Sequence, residues 1–385
     1  MTASETQNSA SAMPVPGGPP SGYIDNNDDM YDSPEELQGD TLLPRALRLL
    51  SEISAPYWRA NHEAMILQTR HRHITSRALF AATAAVVLAI IQLPILKRLE
   101  GWGEIVPLIE AVAVGLAFYY VSKGIKQAVQ KHWLLERHQA ERFRFLKYRR
   151  LLALITETKD DPGLKHWKQV ACRKASNILK MEEPDVQQWM REFYRQSKDD
   201  KSLLSIVSES DFNDILDFYR RKRLDRQVRY LCQKSASTGT DDSYTRFWPP
   251  FLFLVSLVFA LIHFGIDIVD ASARFAEERT CLLIFGWIES HGISWAKEHS
   301  VWFITGAALL PVAIAAIRTH RSANEYSRNT LRFSSMYVEL RAKSDQLAVS
   351  LDSTAKLRIL WEIEESLESE HRDWLRLMEE AEWYG

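Results

Sequence analysis

Cysteine is scarce in this chain. Three thiols in 385 residues (Cys172, Cys232 and Cys281), odd in number and widely spaced, exclude a disulfide-stapled scaffold and a cysteine-ligated zinc site. Glycine-rich phosphate loops are missing as well, since neither G-x-x-x-x-G-K-[ST] nor G-x-G-x-x-G occurs. Other enzyme signatures stop short. His62-Glu63 opens like an H-E-x-x-H zinc motif, but Ile66 stands where the second histidine belongs. Ser353-Thr354-Ala355-Lys356 matches S-x-x-K with no K-T-G after it. The carboxylates Glu362, Glu364, Glu365, Glu368 and Glu370 read as a surface run rather than a convergent pair. These absences argue against an enzyme, so no catalytic residue, metal ligand or cofactor is expected. A net charge of −2 with 46% hydrophobic residues argues against a disordered chain and against direct nucleic-acid binding.

Charge is missing in a second sense. Residues 78–96, 247–266 and 300–317 carry no formal charge, and residues 105–122 carry only Glu110. Each run is 18 to 20 residues long, enough for a helix to cross a hydrocarbon core of roughly 30 Å. None has the polar stripe of a soluble core helix. The flanks carry the orientation. Segments 44–77, 123–150, 220–246 and 318–343 have net charges of +4, +7, +5 and +4, whereas 97–104 and 267–299 have 0 and −3. By the positive-inside rule, both pairs of spans enter and return as hairpins from the cytoplasm, where N- and C-termini remain. The expected fold is therefore an all-α membrane protein with four transmembrane helices in two hairpins, extended by long cytoplasmic helices. Its expected location is the inner (plasma) membrane, with the lipid bilayer as its first partner.

The remaining sequence organises around those spans. Residues 1–40 contain no Lys or Arg and eight acids, so 1–33 reads as a disordered acidic tail without the basic region of a signal peptide. Ser33-Pro34-Glu35-Glu36 is a capping box that marks the start of order. A first two-span unit covers 34–160, with helix breaks expected near Pro44 and Pro56 and one long helix from Lys123 to Thr158. A soluble helical connector covers 161–212, with one helix over 185–197. A second unit covers 213–385, with a polar linker at 237–243. Residues 319–382 lack Pro and Gly and should be largely helical. Leu360, Ile363, Leu367, Trp374, Met378 and Ala381 form an apolar stripe with His371 in step. This acidic helix either packs on the basic helix 123–150 or on a neighbouring subunit, or presents a solvated face.

Polar groups inside the spans are the candidate functional residues. Glu110 lies a third of the way into the second span, and His263 and Asp267 share a face near the outer end of the third. Ionisable groups at this depth are costly and usually face a bundle interior or a water-filled cavity. Glu110 therefore either lines a path or packs near an interface, and Asp267 is also placed for the interface. Ala81, Ala85 and Ala89 make a small-residue ridge for helix packing. Pro94 and Pro311 are candidate kinks.

The paired spans, each followed by a long charged helix, resemble the two-transmembrane effector domains associated with SMODS nucleotidyltransferases and SLOG sensors, the SLATT family. The first unit carries Tyr57-Trp58-Arg59-Ala60-Asn61 with Ala64 and Gln68, similar to the family's pre-span helix. The second carries Tyr219, Arg223, Leu224, Gln227 and Tyr230 before its spans, and Glu364, Leu367, Glu370 and Trp374 in its last helix. Arg144-Phe145 and Arg332-Phe333 are the best echo between the halves. The chain departs from the family in its duplicated hairpin, its long outer connection with Cys281–Ile288, and the lack of an evident nucleotide-binding domain. The resemblance implies a homo-oligomeric membrane effector of a bacterial immunity system, triggered by a nucleotide-signal sensor or synthase encoded nearby. Such an effector permeabilises the membrane and causes growth arrest or cell death. Four spans in one monomer hardly enclose an aqueous pore, so a pore requires several subunits. The alternatives are a non-conducting scaffold for cytoplasmic partners and a regulated ion channel.

Overall fold

The computed structural model describes residues 28–98, 105–157, 161–181, 205–277, 294–323 and 326–380. Every regular element among them is helical. The order is α1 (Leu42–Arg98), α2 (Ile105–Gln127), α3 (Val129–Glu157), α4 (Asp161–Leu179), α5 (Glu209–Tyr219), a π turn (Arg220–Leu224), α6 (Asp225–Glu277), α7 (Ser294–Ala323), α8 (Tyr326–Val349) and α9 (Ser353–Glu380). Helices α1, α2, α6 and α7 are long and apolar enough to cross a membrane. The helix expected at 185–197 and the segment Cys281–Ile288 lie outside the described residues.

Several local expectations change. Helix α1 is continuous for 57 residues and breaks at neither Pro44 nor Pro56. Pro44 falls in the first turn, where its missing N–H has no intrahelical acceptor. Pro56 is carried inside the helix next to the buried Tyr57 and Trp58. In contrast, the single helix expected from Lys123 to Thr158 is two helices. Ala128 separates them with φ +43°, a left-handed conformation that costs a residue with a Cβ roughly 1–2 kcal/mol. Its N–H donates to the Ile125 carbonyl at 3.1 Å, and Val129 beside it is buried.

The polar stretch 237–243 is helical rather than a linker. Hydroxyls that favour other conformations instead donate back along α6, Thr238 to the Lys234 carbonyl at 2.7 Å and Thr240 to that of Ala236 at 3.1 Å. Asp242 accepts from Arg321 at 2.7 Å and from Ser327 at 2.6 Å, which ties α6 to α7 and α8. Residues 326–380 are helical apart from 350–352, where the Asp352 carboxylate caps α9 by accepting from the Ala355 N–H at 2.9 Å.

The capping box at Ser33 forms, with Ser33 N–H donating to Glu36 at 2.8 Å and Glu36 N–H donating to Ser33 Oγ at 3.4 Å. It closes one turn only. Order also reaches further back than the box. Asp28, Asp29 and Met30, assigned from sequence to a disordered tail, are buried.

Packing divides the chain differently from its linear order. One unit gathers residues up to Gln68, Gln130–Leu231 and residues from Met336, while the other gathers Thr69–Val129 and Cys232–Ser335. Each draws on both halves of the sequence.

The unit of Thr69–Val129 and Cys232–Ser335 holds the apolar helices. Its core is thin and built from small residues. Ala78, Ala81 and Ala85 on α1 are buried, with Ala89 half-buried, as are Ala113 and Gly124 on α2. Helices α6 and α7 approach closely at Gly306, where an added Cβ would stand 2.5 Å from the Phe259 ring. Ser256 Oγ donates to the Ala307 carbonyl at 3.0 Å beside it. Small residues and a cross-helix hydroxyl are the means by which helices associate in lipid, where no hydrophobic force drives them together. Large apolar side chains point outward instead, among them Leu108, Phe118, Phe247, Phe253, Leu261 and Phe264. Helix α7 runs on through Pro311, and α1 through Pro94.

The other unit has a conventional interior. Trp58, Phe143, Trp167, Phe212 and Phe218 are almost wholly buried. The acidic α9 packs on the basic α3. Trp374 meets Trp133 edge-on at 5.9 Å, and Ala64, Trp133, Leu134, Leu375 and Met378 form one cluster.

Candidate functional site

The unit containing α3 and α9 also buries an unusual number of charges. Its centre is two guanidiniums, Arg144 on α3 and Arg223 on the π turn. Arg144 Nε is 2.7 Å from Asp29, its Nη1 donates to Glu141 at 2.6 Å, and its Nη2 donates to the Tyr57 hydroxyl at 2.6 Å. Arg223 Nη1 donates to the other oxygen of Asp29 at 2.8 Å and its Nε to Glu364 at 3.0 Å. Glu364 also accepts from the Tyr219 hydroxyl at 2.7 Å, and Asp28 accepts from that of Tyr57 at 2.6 Å. Asp29 therefore bridges two arginines, one of them 194 residues away.

Local structure explains how these groups converge. The π turn carries Lys222, Arg223 and Leu224, all three buried. The Arg223 guanidinium lies over Tyr148 at 4.9 Å and Phe145 at 5.3 Å, and Arg144 over Tyr57 at 5.4 Å. Flat, weakly hydrated guanidiniums suit such ring-lined burial better than ammonium groups do.

Burial opposes ionisation of Asp29, but Arg144 and Arg223 outweigh it and hold its pKa below the usual carboxylate value. Glu141 is likewise desolvated, yet Arg144 and Arg137 hold it far below the usual range. For Asp28 burial wins, reinforced by Asp29, and its pKa rises despite Arg144. Burial also raises Asp32, against the attraction of Lys147. The network is thus charge-paired around the arginines and less settled at its acidic edge.

A second buried feature adjoins it. The His138 and His371 rings stack at 5.7 Å with an interplanar angle of 11°, and Trp374 stacks on His371 at 5.5 Å. Burial, His371 and Arg142 together push the His138 pKa well below that of a free imidazole. A histidine with a depressed folded-state pKa stabilises above its unfolded value and loses that contribution as pH falls. Stability should therefore drop below about pH 6.5, by about 1.4 kcal/mol per pH unit from this group. His71 is shifted in the same sense, so the diagnostic is a difference. Thermal midpoints of the wild type and of His138→Gln, measured from pH 7.5 to 5, should converge on the acid side. Parallel curves would remove His138 from the acid response.

The residues singled out within the spans stand apart from this network. Glu110 is half-buried on α2 between the exposed Ile109 and Ala111. His263 Nε2 and Asp267 Oδ2 are 3.4 Å apart on α6, as their spacing requires, with Asp267 62% exposed.

Sequence reasoning missed most of the buried network. Asp28 and Asp29 were assigned to the tail and Glu364 and Glu368 to a surface run, yet all four are buried. Glu368 is paired with Arg149. A signal existed for α9. Glu364 follows Leu360 by four and precedes Leu367 by three, so it occupies the apolar stripe. Nothing in the composition of 28–32 distinguished it from the residues before it. Of the residues that carry the family resemblance, Tyr57, Tyr219, Arg223 and Glu364 belong to the network.

Comparison of the chain with protein-family models, curated proteins and solved structures finds no match in any of the three. Among the described residues the protein is all-helical, with four helices long and apolar enough to cross a membrane, as in a membrane-associated protein, and a buried arginine–carboxylate network in one unit.

Proposed function

We propose that this protein is a multi-pass effector of the inner membrane that oligomerises to form a pore or otherwise disrupts the bilayer. The four spans form two hairpins with both termini in the cytoplasm, and the protein acts without catalysis. The observation that carries this reading is the outward display of Leu108, Phe118, Phe253, Leu261 and Phe264 on helices of membrane-crossing length. Such a surface is unfavourable in water and suited to lipid or to apolar helices of other copies. The resemblance to the SLATT family, supported by the convergence of Tyr57, Tyr219, Arg223 and Glu364, adds the role. In that role, a nucleotide-signal sensor or synthase triggers permeation and arrests growth in a bacterial conflict system.

Glu110 and the His263–Asp267 pair are the groups proposed to face the conducting path. The test is induced expression with a potential-sensitive dye, together with dye release from liposomes holding the purified protein. Collapse of potential and release are expected, with release altered in Glu110→Ala. Intact potential and sealed liposomes at high protein density would favour a scaffold. Selective currents without growth arrest would favour a regulated channel.

A further inference from the structure

Residues 28–36 lie across α3 and the π turn in the manner of a bound peptide. Four consecutive carbonyls are each read by a different side chain. Arg226 donates to the carbonyl of Asp28 at 2.6 Å, the Tyr148 hydroxyl to that of Asp29 at 2.5 Å, Lys147 to that of Met30 at 3.1 Å and Lys222 to that of Tyr31 at 2.9 Å. The acidic side chains are read as well. Asp29 takes Arg144 and Arg223, Asp32 takes Lys147 at 2.7 Å, and Glu36 takes Lys222 at 2.7 Å. Met30 is 1% exposed and is the one fully buried apolar side chain of the segment.

The geometry points to a cleft that recognises an acidic peptide, filled here in cis by residues 28–36, and to that segment as an exchangeable lock. Met30 is the segment's anchor in the core, and its neighbours are held by hydrogen bonds and ion pairs. Ordering an extended segment costs conformational entropy, which opposes its polar contacts. The two arginines of the cleft each keep a partner without its occupant. Arg144 retains Glu141 and Arg223 retains Glu364, both supplied by helices. Lys147 and Lys222, whose ion pairs with Asp32 and Glu36 end on release, are the recognition cations.

The connection to α1 suits release. Residues 38–41 are exposed, and Gly39 takes φ +108°, which a residue with a side chain rarely adopts. Arg48 holds this corner from outside by donating to the carbonyls of Leu37 at 2.7 Å and Gly39 at 2.8 Å. The site goes beyond the membrane role proposed above and does not require it. A partner or second copy presenting a similar acidic stretch would compete for the same cleft.

The experiment uses the full chain with a protease recognition sequence inserted between Gly39 and Asp40. A fluorescent synthetic peptide of residues 28–38 is titrated into cut and uncut protein. Saturable binding is expected after cutting and little before it. A peptide carrying Asp29→Asn should bind roughly tenfold or more weakly, because it forfeits a charged hydrogen bond to the arginines. The proposal is overturned if the cut protein keeps its own segment against excess peptide, if it binds both peptides alike, or if cutting unfolds it. The readout is peptide exchange, so failure of membrane permeation leaves it unaffected.

Discussion

Replacing Glu364 by alanine is expected to destabilise the protein by about 3–5 kcal/mol, the usual result of removing one partner from a buried ion pair. Glu364 is fully buried and accepts from both Arg223 and the Tyr219 hydroxyl. Its loss leaves the guanidinium with Asp29 alone and the phenol without its acceptor. The loss should be read by chemical denaturation of detergent-solubilised protein, followed by fluorescence of the buried Trp58 and Trp167. Glu364→Gln keeps an acceptor oxygen at the same length and should cost less. An Arg223→Met, Glu364→Met pair should recover much of the loss, since two apolar side chains remove the desolvation cost as well as the attraction. A Glu364→Ala protein within about 1 kcal/mol of wild type would show the pair to be solvated in solution.

A charge placed on the exposed apolar side of α6 has the second large effect. Leu257 is 45% exposed and lies near the middle of the uncharged run 247–266. Leucine favours the centre of a membrane helix by about 0.5 kcal/mol and aspartate opposes it by about 3 kcal/mol. Leu257→Asp should therefore weaken insertion of this helix by roughly 3–4 kcal/mol, measured by glycosylation mapping of the span in microsomes. Tyr230→Asp, at an exposed position outside that run, should leave insertion unchanged. Equal insertion of wild type and Leu257→Asp would mean that this face meets water or protein instead of lipid.

The four apolar helices were legible because membrane crossing is written locally. A run of about 20 residues without charge has one economical structure in hydrocarbon, a helix that satisfies its own backbone. The helical character of 326–380 was legible for a similar reason, since neither Pro nor Gly interrupts it. The expected breaks failed where single-residue rules met a longer context. Pro56 sits in a helix whose neighbours Tyr57 and Trp58 are locked in the core. The hydroxyl-rich 237–243 is helical, its side chains bonded back to the helix and Asp242 held by Arg321. Ala128 breaks the helix between Gln127 and Val129, with neither Pro nor Gly beside it.

Three stretches without charge and a fourth with Glu110 alone sufficed to determine four long apolar helices and the membrane-compatible character of this chain. Those are properties of short windows, and short-range physics decides them. Tertiary structure alone decided the fate of the charges outside the spans. The acidic residues before Ser33 looked like a solvated tail, and the carboxylates of α9 looked like a surface. Asp29 and Glu364 are instead buried against Arg144 and Arg223, partners 115 to 194 residues distant in the case of Asp29 and 141 in that of Glu364. An ion pair is favourable at any sequence separation once both groups share a dry site. Which charges share one depends on how α1, α3, the π turn and α9 come together.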